Sequence, residues 1–176
     1  MARRVGQAWY IGELAFRLSR AGRTVDSSGA AEPWRLLLAG DWPAEEIVRL
    51  LVEKGASVRA RSTASWGEGE TALMQAARRE SGQLVQFLLG KGSEIDAKNK
   101  AGETALLIAA ESGNLQGARA LVEKGANVNA RWKVGMTPLM AAASRDHAEV
   151  VEYLLAQQAE PNATEGGGLA EEESDG

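Results

Sequence analysis

The chain has no cysteine, one histidine, two phenylalanines, two tyrosines and four prolines in 176 residues. Without cysteine there is no disulfide frame and no thiol chemistry. One histidine, His147, excludes His-pair zinc motifs and most His-centred triads. No apolar run reaches the roughly 18 residues of a membrane span. No EF-hand loop is present. Gly90-Lys91-Gly92-Ser93 looks like a phosphate loop only on the surface. The glycine due five residues before Gly90 is Val85, and the segment follows a helical pattern rather than a strand. Adjacent acids such as Glu45-Glu46 read as helix-surface charge. Gly113-x-x-x-Gly117 lies in a polar turn and a helix start, so it is no membrane dimerisation motif. These absences leave no expected catalytic set, metal, cofactor or small-molecule substrate.

What is present is a period. Thr71-Ala72-Leu73 returns as Thr104-Ala105-Leu106 and as Thr137-Pro138-Leu139, and small pairs follow at one offset: Ala76-Ala77, Ala109-Ala110, Ala142-Ala143. Gly55, Gly92 and Gly125 are each followed three residues later by Val58, Ile95 or Val128. A fixed period between about twenty and fifty residues signals a stacked array. Threonine suits a helix N-cap, and Pro138 suits the first helical turn, where its missing N–H has no role. Leu73, Ala76 and Ala77 share one helical face, with alanines small enough for helices to approach closely. Leu84, Val85, Leu88 and Leu89, or Val150, Val151, Leu154 and Leu155, form a larger apolar face on a second helix. Gly92 and Gly125 then suit a left-handed stop. One such hairpin cannot bury its own faces, so neighbours must stack.

This text resembles the ankyrin repeat, a β-turn followed by two antiparallel helices. The strongest match runs from Gly135 to Glu152: Gly-Met-Thr-Pro-Leu-Met-Ala-Ala-Ala, then His147, then Val150-Val151 and Leu154-Leu155. Leu121-Val122-Glu-Lys-Gly125-Ala126-Asn-Val128-Asn129-Ala130 supplies the other end of the unit. The resemblance implies an all-α helix-turn-helix solenoid of about five stacked repeats, with the first and last as caps. The expected units are a degenerate N-terminal cap over 1–33, a repeat with a long turn over 34–70, and repeats over 71–103 and 104–136. A C-terminal cap over 137–164 and an acidic tail over 165–176 complete the chain. Gly22 and Val25 keep the register in the first unit. Its arginines (Arg3, Arg4, Arg17, Arg20, Arg23) also fit a transit peptide, but the register favours a cap. Trp34 takes the threonine position of the second unit, and four extra residues lie between Ser62 and Glu70, around Trp66. Such a lengthening costs only about 0.5 kcal/mol of closure entropy.

Departures from the family pattern carry expectations of their own. The usual histidine after Thr-Pro-Leu is Met74, Leu107 or Met140, which exchanges a turn-bracing hydrogen bond for apolar packing. Gln158 stands where glycine belongs and Pro161 takes the Val128 position, as a terminal cap would show. His147 stands where the family often has histidine, and a structural role is expected.

Charge is uneven. The formal net charge is −4, from 20 bases and 24 acids. Glu165, Glu171, Glu172, Glu173 and Asp175 hold five of those acids, so the body carries 20 bases against 19 acids. The tail reads as disordered and solubilising, or as a segment that folds back on basic turns and competes with a partner. Superposed repeats align Arg61, Lys98 and Arg131, with Lys100 and Lys133 two residues later. Trp66 and Trp132 join this row; the family usually has Asp where Trp132 stands. Exposed tryptophan beside arginine is typical of interface hot spots, worth about 2 kcal/mol or more each. The alternative lays both indoles flat on neighbouring turns, with the bases merely solvated. On the first helices, Gln75, Arg78, Arg79, Ile108, Glu111, Ser112, Ala141, Ser144 and Arg145 are expected to face outward. Arg78 and Arg79 beside Lys98 and Lys100 would suit a carboxylate-rich partner.

The resemblance implies that partners dock on the turn tips and the concave first-helix face. The expected function is a non-catalytic protein-binding module, monomeric and cytoplasmic, with an acidic protein partner and no nucleic acid or membrane. The competing reading is a regulatory or targeting subunit of an enzyme complex, and a third is a bare scaffold.

Overall fold

Each hairpin opens on a threonine held in extended conformation. The hydroxyls of Thr71, Thr104 and Thr137 accept from the backbone N–H of Met74, Leu107 and Met140, each at 3.3 Å. A computed structural model describes residues 44–53, 55–62, 68–79 and 81–163 of the chain. The expected cap over 1–33, the helix start at Trp34, Trp66 and the acidic tail lie outside the described residues. The described helices are α1 (Ala44–Glu53), α2 (Ala72–Arg78), α3 (Gly82–Gly90), α4 (Ala105–Glu111), α5 (Leu115–Glu123), α6 (Pro138–Ser144) and α7 (Ala148–Ala156). The pairs α2–α3, α4–α5 and α6–α7 are three successive hairpins, and α1 precedes them in the sequence position of an outer helix.

The inner helices α2, α4 and α6 have seven residues each. Two turns are far too short to be stable alone, so burial must hold them. Leu73, Ala76 and Ala77 are fully buried, as are Ala109, Ala110 and Ala142. The alanines let α2 pack directly on α4, and α4 on α6. Outer helices stack likewise, α3 on α5 and α5 on α7, through Leu84, Val85, Leu88, Ala118, Leu121, Val150 and Leu154. Cations on one outer helix cover rings of the next: Arg49 lies 4.4 Å from the Phe87 centroid and Arg119 4.8 Å from that of Tyr153.

The outer helices stop on a left-handed residue. Gly92 and Gly125 take φ of +86° and +91°, and the next N–H returns to the helix, as in Ala126 N–H to Leu121 O at 3.0 Å. At the last such stop among the described residues Gln158 adopts φ of +65° with a side chain attached. Ala159 N–H still returns to Leu154 O at 3.0 Å.

Polar links tie one hairpin to the next. Asn114 caps α5 by accepting from Gly117 N–H at 2.7 Å, while its amide donates to Ala77 O in the preceding repeat at 2.8 Å. His147, one period on, has a ring nitrogen 3.0 Å from Glu111 O. Both glycines of the Gly113-x-x-x-Gly117 pattern make room for these residues. A Cβ on Gly113 would stand 2.6 Å from the His147 ring, and one on Gly117 2.4 Å from the Asn114 amide.

Two expectations need correcting. Ile108 and Ala141 do not face outward; both are buried. The inner helices sit so close through their alanines that residues on the flank of α4 and α6 are covered. Nor is the turn-bracing hydrogen bond lost at Met74. Its thioether is buried and accepts from Thr71 N–H at 3.5 Å, sulfur serving as the acceptor.

Candidate partner surface: the finger row and the inner-helix face

Between hairpins the chain extends a finger. The second finger closes by Asn99 N–H to Glu103 O at 3.1 Å and the third by Trp132 N–H to Met136 O at 2.9 Å. Each tip turns on a left-handed glycine, Gly102 or Gly135. The third finger adds a short 3-10 turn, Lys133–Gly135.

Fingers stack as the helices do. Lys100 N–H donates to Glu68 O at 3.0 Å, which seats the second finger on the first. The third is seated on the second by a side chain: the Trp132 indole N–H donates to Ala101 O at 2.7 Å. Its ring edge lies 3.4 Å from the place a Cβ on Gly102 would occupy. Trp132 is therefore half-buried, resting against the neighbouring tip.

The cations of the row differ in how far they are matched. Arg61 donates to Lys98 O at 2.6 Å and pairs with Glu94 at 3.4 Å. Lys100 pairs with Glu68, and Arg131 with Glu160 at 3.5 Å. Lys98 and Lys133 are exposed and carry no ion pair among the described residues. On the inner-helix face Arg78 pairs at 2.6 Å with Glu70, whose side chain is buried and also accepts from Gln75. Arg79 is half-buried and engaged by a neighbour. Arg145 reaches across one repeat to Glu111 at 2.5 Å. Of the expected patch of Arg78, Arg79, Lys98 and Lys100, two charges are already answered, Arg78 by Glu70 and Lys100 by Glu68. The exposed pairs of Arg61 with Glu94, Lys100 with Glu68 and Arg131 with Glu160 contribute about 0–1 kcal/mol each, so they tune charge more than they hold the fold.

Glu68, Glu94 and Glu160 are the residues that reading the sequence for cations left out. A signal was available: Arg61 and Glu94 stand one 33-residue period apart, and Lys100 and Glu68 nearly so. Among the described residues no cluster of His, Asp and Glu is arranged to hold a metal ion. No described helix is long and apolar enough to cross a membrane.

Stacked hairpins with short inner helices, longer outer helices and a row of fingers define an all-α repeat solenoid. The chain matches the family model for ankyrin repeats (3 copies) over residues 36–132 and again over 73–165. Each match covers more than half of the chain, and the chain belongs to the ankyrin repeat family. Members are generally protein–protein interaction modules and typically non-catalytic. None of the curated proteins matches the chain.

Proposed function

We propose that this chain is a non-catalytic module that holds a partner protein with an acidic surface. The contact surface is the finger row with the inner-helix face beside it: Arg61, Lys98, Lys100, Arg131, Trp132, Lys133, Arg78 and Arg79, together with Trp66, which lies outside the described residues. One observation supports the reading most. Lys98 and Lys133 stand exposed on successive fingers, without an ion pair among the described residues, while the cations around them are matched. Unmatched charge at a rim steers and selects an oppositely charged partner.

The test uses the double charge reversal K98E/K133E. Neither side chain is buried or, among the described residues, paired, so the melting temperature should not move. A partner captured on the natural chain should bind the variant about ten-fold more weakly, the equivalent of about 1.4 kcal/mol. Equal affinity for both chains would remove the row from the contact surface.

A further inference from the structure

The last described residues run along the finger row. Glu160 pairs with Arg131, and its N–H donates to Asn129 Oδ1 at 3.0 Å. The preceding pair of fingers is joined in a similar way, by Asn127 N–H to Asp96 Oδ1 at 3.2 Å. Ala163 stands 33 residues after Ala130. The backbone therefore leaves Ala163 at the place in the repeat where the previous finger enters Arg131, Trp132 and Lys133. Beyond Ala163 the sequence is acidic: Glu165, Glu171, Glu172, Glu173 and Asp175, with no base among them. Five carboxylates are thus delivered to the end of a row in which Lys133 and Lys98 are the cations without an ion pair among the described residues.

We infer that residues 165–175 dock within the molecule on the finger row, their carboxylates meeting Lys133 and Lys98. Reach permits it. The nine residues from Ala163 to Glu172 span roughly 17 Å as an r.m.s. chain distance. Packed helices are about 8–10 Å apart, which sets the step between successive repeats. Lys133 lies about one step away and Lys98 about two. Tethering at that distance gives an effective concentration in the millimolar range. Individual exposed pairs are weak and are screened over about 8 Å at physiological salt. Docking is therefore partial, reversible and salt-sensitive, and it lowers the affinity of a competing acidic ligand about three-fold.

The regulatory consequence rests on the row being a partner surface; the docking does not, and its test needs no partner. The natural chain is compared by NMR with a full-length variant neutral in the segment, E165Q/E171Q/E172Q/E173Q/D175N. At low salt the Lys98 and Lys133 amides and the Trp132 indole N–H should differ between the two chains. The differences should vanish at high salt and stay constant on dilution. A synthetic peptide of residues 164–176 should bind the neutral variant at the same positions, about three-fold more tightly than it binds the natural chain. Identical low-salt spectra would overturn the inference. So would equal peptide affinity, differences confined to the exposed Leu155 end of the array, or differences lost on dilution, which would mean contact with a second copy. If the docking holds while K98E/K133E leaves partner affinity unchanged, the partner-binding reading alone falls.

Discussion

Trp132 is hydrogen-bonded to Ala101 one finger away, its indole N–H 2.7 Å from the carbonyl oxygen. An indole at the closing pair of a finger thus does a joining task that backbone performs between the first two fingers, where Lys100 N–H meets Glu68 O. Trp132→Phe keeps an aromatic ring but removes the donor and the pyrrole edge that lies over Gly102. It should lower unfolding free energy by about 1 kcal/mol, read from urea titration. Trp132→Ala loses the packing as well and should cost more. Truncating this residue therefore mixes stability with binding, whereas the two exposed lysines separate them.

Ser93 stands where the other described repeats carry alanine: Ala56, Ala126 and Ala159. Its hydroxyl oxygen is buried without a hydrogen-bond partner. An unanswered buried polar group costs about 1–3 kcal/mol, while an alanine of the same backbone shape fits three times over. Ser93→Ala should therefore raise the denaturation midpoint, with a gain of about 1 kcal/mol. No change would mean that the hydroxyl is satisfied in solution.

Gln158 takes φ of +65° at a helix stop filled elsewhere by glycine. Left-handed backbone costs a residue with a Cβ about 1–2 kcal/mol. Gln158→Gly should stabilise the chain by about 1 kcal/mol, and Gly125→Ala should destabilise it by a similar amount. Thermal unfolding of both variants checks the pair, since opposite signs are required.

Burial pushes the Tyr153 phenol above its usual value of 10.0; the Glu123 carboxylate adds to this and the Arg119 guanidinium opposes it. The folded chain thus keeps a proton that the unfolded chain releases near pH 10. The linked stability is complete below that pH and is lost as pH rises through the raised folded value. Unfolding free energy measured from pH 9 upward should fall less steeply in Tyr153→Phe than in the natural chain. Equal slopes would mean that the phenol is as well solvated in the fold as out of it.

Much of the architecture was legible because a period leaves marks that need no coordinates. Thr71, Thr104 and Thr137 announced their caps, and Ala76, Ala109 and Ala142 their buried face. The errors fell where one helix meets its neighbours. Ile108 sits at an outward angle on an isolated helix, and only the closeness of α2 and α6 covers it. Met74 read as apolar filler, because sequence does not show that its sulfur lies opposite the Thr71 N–H. The candidate row was legible as a set of equivalent positions but not as a set of charges. Spacing aligned Arg61, Lys98 and Arg131, while contacts across space set which carboxylate met which cation, Glu94 for Arg61 and Glu160 for Arg131.

By itself the sequence determined that this is a stack of helix hairpins, because local capping, glycine stops and alanine faces repeat at one interval and cannot be satisfied singly. Only the tertiary structure decided which members of the row keep their charge exposed, and that Trp132 leans on Ala101 rather than standing free. The physical reason is that these outcomes depend on side chains one repeat apart meeting across space, which periodicity permits and three-dimensional packing selects.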